Sequence, residues 1–299
     1  MSKRSMALGI ASVVVGVSLF WLMDSYGISQ ATSTTSTGNQ FPTIVGNAGP
    51  FPTLLLLTAG ASLLLGFGAV QMLRGRTQLD TRASRFGTAS VLAGVVLSVN
   101  ALMLPWWQFS YQVNGVPYCG GTFVFSLWYL QYSGPCPPFP NSTDWWYSSP
   151  SFFSHGGAVA LNASYVEMVA VALGVAAALV VLRRRSRGPL SSRRASAGFL
   201  LGLAAAAANL GAALFFAGAL PSALSTDNSG SASFYPYDRS FWGSTTRAGT
   251  PSATFYWGPD WNWVLVLIAA ALLVMGVVVS YRSFRSGARN REAGQPTTP

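Results

Sequence analysis

Apolar residues along this chain fall into six runs, each about the length of a membrane span, separated by polar stretches. The runs are Met6–Met23, Pro52–Leu73, Phe86–Leu104, Tyr165–Leu182, Ala197–Leu220 and Trp261–Tyr281. At a rise of about 1.5 Å per residue, each can cross a hydrocarbon core near 30 Å. For the first run, a cleaved signal peptide ending at Ser29-Gln30-Ala31 is the competing reading. Its apolar region exceeds the usual ~7–15 residues and Ala31 lies well past its end, which favours an uncleaved helix.

The polar stretches have distinct characters. Residues 24–52 form the first outer loop, with a Ser/Thr/Gly run over Thr32–Gly38 that can pack no core. Residues 106–163 form the longest interruption and hold both cysteines, the only histidine and five of the ten tryptophans. Residues 221–260 form a second large outer loop, and 282–299 a basic, then polar, tail expected to be disordered. The resulting division is 1–105 with three helices, the 106–163 loop, 164–220 with two helices, the 221–260 loop, a last helix over 261–281, and the tail.

Period two replaces the helical pattern in the long loop. Trp107, Phe109, Tyr111 and Val113 alternate with Gln108, Ser110 and Gln112, which predicts a strand. Asn114-Gly115 is a hairpin turn signal because both positions tolerate positive φ. Val116–Tyr118 is expected to return, with Pro117 confining it to an edge. Thr122–Tyr132, rich in aromatic and β-branched residues, predicts one further strand. Phe234–Tyr237 and Thr254–Pro259 are aromatic runs of the second loop. They either pair with the first loop in one β-rich cap or lie flat on the lipid surface.

Charge placement then fixes a topology. Hydrophobic residues make up 51% of the chain and charged ones 9%, against about a quarter in soluble domains. The net charge of +10 does not indicate nucleic acid, because the basic residues sit in short clusters at the ends of apolar runs. With a cytoplasmic N-terminus, sixteen of the eighteen basic residues and two of the eight acids fall inside, a balance of +14. The outside then carries −4, with only Arg239 and Arg247 as cations. Both termini are therefore expected in the cytoplasm of a multi-pass cell-membrane protein. The Arg183–Arg187 and Arg193-Arg194 clusters serve as topogenic signals and suit anionic lipid heads.

The fold expected is an all-α integral membrane protein of six transmembrane helices, arranged as three in-out-in hairpins, with a small external β-rich cap. Odd spans enter through Lys3-Arg4-Ser5, Arg82-Ala83-Ser84 and Arg194-Ala195-Ser196, a pattern that either reflects duplication or simply the in–out–in alternation. Small residues at Ala170, Gly174 and Ala178, and at Gly198, Gly202 and Ala206, predict close helix contacts.

Cys119 and Cys136 share one external loop and are the only cysteines, so a disulfide between them is expected. Two unpaired thiols are the alternative. Leu127-Trp128 between these cysteines resembles the first external loop of claudin-like proteins. The pattern differs in that Cys119 precedes the Trp, the loop follows the third span and six spans are present, so the resemblance implies no function. Asn141-Ser142-Thr143 and Asn162-Ala163-Ser164 match the glycosylation sequon.

Catalytic chemistry is poorly represented. His155-Gly156-Gly157 resembles a fragment of an esterase oxyanion loop, yet no Gly-x-Ser-x-Gly nucleophile elbow accompanies it. His155, Asp144 and Glu167 lack metal-ligand spacing, one histidine excludes bis-histidine haem ligation, and no nucleotide-binding motif is present. No enzyme activity, metal or cofactor is expected. Glu167, placed one turn inside the outer end of the fourth span, reads as an interfacial carboxylate. Asn100 and Asn209 read as interhelical hydrogen-bond partners, and with Glu167 they are the candidate intramembrane polar site.

The function expected is a non-enzymatic accessory, assembly or surface-contact role through the external aromatics. Trp128, Trp145, Trp146 and Trp242 are the candidate contacts, because they lie too far along their loops to be belt residues. The alternative is a transporter or channel for a neutral or apolar solute. Membrane lipid and another membrane or extracytoplasmic protein are the expected partners; nucleic acid is not.

Overall fold

A computed structural model describes residues 3–33, 51–73, 82–116, 119–134, 142–147, 153–183, 192–229, 240–249 and 251–293. Six helices account for most of them: α1 (Lys3–Ser33), α2 (Phe51–Leu73), α3 (Arg82–Met103), α4 (Ser154–Arg183), α5 (Ser192–Ser229) and α6 (Trp261–Ala293). All six are long and apolar enough to cross a membrane, which fits a multi-pass membrane protein of mostly helical fold. The chain also builds one antiparallel sheet, from β1 (Trp107–Val113), β2 (Gly120–Phe125), β3 (Tyr129–Ser133), β4 (Ser142–Trp145), β5 (Gly243–Arg247) and β6 (Ala253–Pro259).

Strand order is β4-β3-β2-β1-β6-β5. The two long loops therefore join in one sheet, and the seam is the β1–β6 pair. Its register sets Phe109 opposite Trp257 and Tyr111 opposite Phe255. The alternative, aromatic runs lying flat on lipid, does not hold for Thr254–Pro259.

Several boundaries differ from the sequence expectation. The turn after β1 forms at Asn114-Gly115, and Gly115 adopts φ +78°, as its lack of a Cβ allows. The strand that returns beside β1 is β2, which begins at Gly120; of the expected Val116–Tyr118, Val116 lies in a bend and Pro117 and Tyr118 lie outside the described residues. Thr122–Tyr132 is not one strand either. It breaks at Ser126, whose hydroxyl accepts from the Trp128 and Tyr129 amides while its own amide donates to the Tyr129 carbonyl. A serine side chain thus closes a turn that carries no Gly, Pro or Asn.

Helices α4 and α5 outrun the bilayer. Their 30 and 38 residues would extend about 45 and 57 Å, beyond a core near 30 Å. Residues 154–163 and 221–229, expected in loops, are helical. Pro221 sits inside α5 without ending it. The sixth helix likewise continues to Ala293, where a disordered tail was expected, and α1 runs on to Ser33, so Thr32 and Ser33 are helical; Thr34–Gly38 lies outside the described residues.

These protruding helix ends carry the sheet. Phe109, Phe123, Phe125 and Phe153 pack with Ala160 of α4 and Phe216, Leu220 and Leu224 of α5 in one buried cluster. Burying such side chains stabilises by about 1.5–3 kcal/mol each. The polar members of the strand alternation are buried too: Gln108, Ser110 and Thr122 are at most 3% exposed. Period two located β1, but both faces of β1 and β2 are covered.

Below the sheet, α3 to α6 form a four-helix arrangement with α1 and α2 to one side. α1 packs chiefly on α2, α4 on α5 and α3 on α6. Helices α3 and α6 approach closely at a pair of facing glycines. A Cβ on Gly87 would lie 2.8 Å from the Gly276 carbonyl oxygen, and one on Gly276 would lie 2.7 Å from that of Gly87. Ala170, Gly174 and Ala178 of α4 are buried, as the small-residue spacing predicts.

Candidate functional site

Three constellations of chemistry-bearing residues emerge at different levels of the molecule.

The first is a buried polar cluster. Glu167 is 0% exposed near the middle of α4, so its carboxyl is enclosed by neighbouring helices rather than open to water. The amide head of Asn209 on α5 stands 2.6 Å from Glu167 Oε1 and 3.0 Å from Oε2. The Ser98 hydroxyl on α3 donates to Asn209 Oδ1 at 3.0 Å. Three helices thus contribute one polar group each. Asn100, expected in the same set, is not among these contacts; its Nδ2 is buried without a hydrogen-bond partner. Ser98 went unremarked in the sequence, where it is one of several serines in apolar runs.

The second lies where the sheet meets α6. Asp260, between β6 and α6, is 2% exposed; its Oδ1 has no hydrogen-bond partner, and the Trp261 and Asn262 amides at the start of α6 lie beside its carboxyl. Its own amide donates to the Trp106 carbonyl. Burial pushes the Asp260 pKa up to about 8, with the two amide bonds opposing. Asn262 is also fully buried, and neither side-chain atom has a hydrogen-bond partner. In the sheet itself, burial and the Tyr111 hydroxyl, 3.0 Å away, raise the Tyr132 pKa.

The third joins α4 and α5 at their sheet-side ends. Asp227 accepts from the His155 amide at 2.9 Å, the Gly156 amide at 2.8 Å and His155 Nδ1 at 2.7 Å. His155 is therefore a helix-terminal residue rather than a loop histidine. Ser154 Oγ lies 3.4 Å from Asp227 and 3.5 Å from His155 Nδ1. In a catalytic triad the serine and the carboxylate take opposite ring nitrogens. Here both are on Nδ1, so the arrangement is a cap. Among the described residues no three of His, Cys, Asp and Glu gather as metal ligands.

The four candidate tryptophans divide into two pairs. Trp128 donates from Nε1 to the Leu102 carbonyl at 2.7 Å, and Trp146 to the Ser126 carbonyl at 3.2 Å. Both are half-buried against the sheet core. Trp145 on β4 and Trp242 just before β5 are 43% and 57% exposed. Trp145 packs edge-on against Tyr129 at 5.3 Å and next to Tyr147, itself 68% exposed.

Cys119 has no free thiol and directly precedes β2; Cys136 lies outside the described residues. Asn141 lies outside them as well. Asn162 is an exposed position inside α4, whereas sequon acceptors belong to surface loops. A scan against protein-family models finds no match to this chain, and a search of curated proteins likewise finds none.

Proposed function

We propose that this chain is a non-enzymatic accessory, assembly or surface-contact protein of the cell membrane, acting through its aromatic sheet. In this reading the six helices cross the bilayer with both termini cytoplasmic and the sheet outside, as the charge asymmetry favours. One observation carries it. Most aromatics of the sheet are spent on its own core, yet Trp145, Tyr147 and Trp242 stand exposed beside the two edge strands β4 and β5. Edge strands and exposed Trp or Tyr are the features that protein partners use most.

The Cys119–Cys136 disulfide belongs to this proposal. Thr122 pairs with Ser133 in the β2–β3 ladder, and in the sequence Cys119 precedes Thr122 by three residues and Cys136 follows Ser133 by three. A bond there would pin the hairpin that leads to β4, and closing a loop of this size contributes on the order of 3 kcal/mol. Non-reducing mass mapping should recover the linked peptides from a single chain.

The test of function is comparative purification in mild detergent from the native membrane. A partner that accompanies the wild-type chain and is lost with W145A/W242A supports the contact role. Unchanged companions in that variant reject it. A second reading, a transporter for a neutral or apolar solute, is favoured by the Glu167–Asn209–Ser98 cluster. Flux into liposomes that depends on Asn209 and ignores Trp145 and Trp242 would replace the first reading with the second.

A further inference from the structure

Glu167 has an environment that suits both of its protonation states. What faces its carboxyl is an amide and, behind that, a hydroxyl. The charged and titratable side chains of the three contributing helices cluster at or near their ends: Arg82 and Arg85 on α3, His155 and Arg183 on α4, Arg193, Arg194 and Asp227 on α5. The only other titratable side chain on them, Tyr165 of α4, is exposed. Tyr132 and Asp144 belong to the sheet, at the Ser154 end of α4 and about 20 Å of helix from Glu167.

An amide is the side chain that satisfies a carboxyl in either form. Its NH2 donates to a carboxylate; after a half-turn its oxygen accepts from a carboxylic acid. Ser98 follows either orientation, because its hydroxyl lies 3.0 Å from Asn209 and can donate to Oδ1 or accept from Nδ2. The 2.6 Å separation from Oε1 puts the amide head in direct hydrogen-bond contact with the carboxyl. It is too short for two ligands of one metal ion, whose octahedral neighbours lie about 2.9 Å apart or more at the usual metal–oxygen lengths.

We propose that Glu167, Asn209 and Ser98 form a proton-binding site within the helical bundle. A proton from water adds to a Glu167 carboxylate oxygen, and the Asn209 amide turns from donor to acceptor; no electrons move and no other bond breaks. The site is distinct from the exposed tryptophans, so its test is independent of the contact role. It lies just beneath the buried Ala101, Ala163 and Ala212, which connect to the sheet through Trp106. Proton uptake is thus placed where it can alter how α3, α4 and α5 hold the sheet.

Infrared difference spectroscopy of the full chain in lipid nanodiscs, titrated with pH, tests the site. Beside the band of the buried Asp260, wild type should show a second carboxyl C=O band, that of Glu167, which disappears as pH rises. E167Q should lack the band, N209L should shift its frequency, and S98A should displace its midpoint. If E167Q does not fold, E167D serves instead, and the band should move rather than vanish. Superimposable titrations of wild type and the Glu167 variant would overturn the proposal. So would a Glu167 band that neither N209L nor S98A alters.

Discussion

Asp227 closes the first turn of α4 through His155, from the last turn of a different helix. One carboxylate oxygen lies 2.9 Å from the His155 amide and 2.7 Å from its Nδ1, and the other lies 2.8 Å from the Gly156 amide. Helix N-termini ordinarily draw their caps from the residue just before them. Here the cap comes from α5, so the contact also locks the two protruding helices that support the sheet.

Asp227→Ala should therefore cost about 1–2 kcal/mol, the usual value of a lost cap or more, because the acceptor is charged and its side chain is 2% exposed. His155→Ala should cost less, since the backbone donors at His155 and Gly156 remain and the ring is 60% exposed. Thermal unfolding in detergent compares the two. Equal losses would show that the ring, not the amides, is what Asp227 holds.

Asp260 makes a prediction about pH. Its folded pKa is raised to about 8 by burial, above its ordinary 3.8. The unfolded chain therefore releases this proton first. Stability should be fully present below pH 4 and should fall between about pH 4 and 8, by up to about 1.4 kcal/mol per pH unit from this group alone. Asp260→Asn, which keeps an acceptor for the α6 amides, should flatten that slope. An unchanged slope in the variant would mean that the carboxyl is ionised in the fold.

The spans were legible because twenty apolar residues have few other uses. Their ends were not. Ser154-His155-Gly156-Gly157 and Pro221 look like loop sequence, and only the Asp227 cap and the sheet packed above reveal that they are helical. β1 was legible from its alternation and its Asn-Gly turn. Its partner β6 was legible as the aromatic run Thr254–Pro259, with pairing to the first loop as one of two readings; the register that sets Phe109 opposite Trp257 was not, because it joins positions about half the chain apart and leaves no local trace. The Ser126 turn carries none of the strong markers Gly, Pro or Asn, and a single serine is a weak turn signal. Glu167 and Asn209 were both noticed as polar positions, but their meeting depends on where α4 begins and how α5 crosses it.

Glycine positions separate close approach from mere composition. Gly87→Ala and Gly276→Ala should each destabilise by about 1–3 kcal/mol, because the new methyl meets rigid backbone at 2.8 and 2.7 Å. Gly60→Ala, with nothing within 4 Å of its Cβ, should be neutral or stabilising by up to about 1 kcal/mol through helix propensity. Melting temperatures of the three variants in one detergent give the comparison. A loss at Gly60 equal to that at Gly87 would undo the account of the α3–α6 contact.

The tryptophans provide the last and most functional prediction. Trp128 and Trp146 each spend their indole N–H on a backbone carbonyl of the sheet's own support, so they serve folding. Replacing either by Ala removes a hydrogen bond and leaves a space in the core, and should lower stability by about 2 kcal/mol or more. Trp145 and Trp242 are exposed, and truncating them should change stability by about 1 kcal/mol at most. Under the contact role the order reverses when association is measured. Trp145→Ala or Trp242→Ala should then weaken partner binding by about 2 kcal/mol, as truncation of interface aromatics does. Neutralising Glu167, or replacing Asn100 or Asn209, should leave that association intact. Association that tracks only the melting temperature across all four tryptophan variants would show the exposed pair to be ordinary surface residues, and the contact role would fall with them.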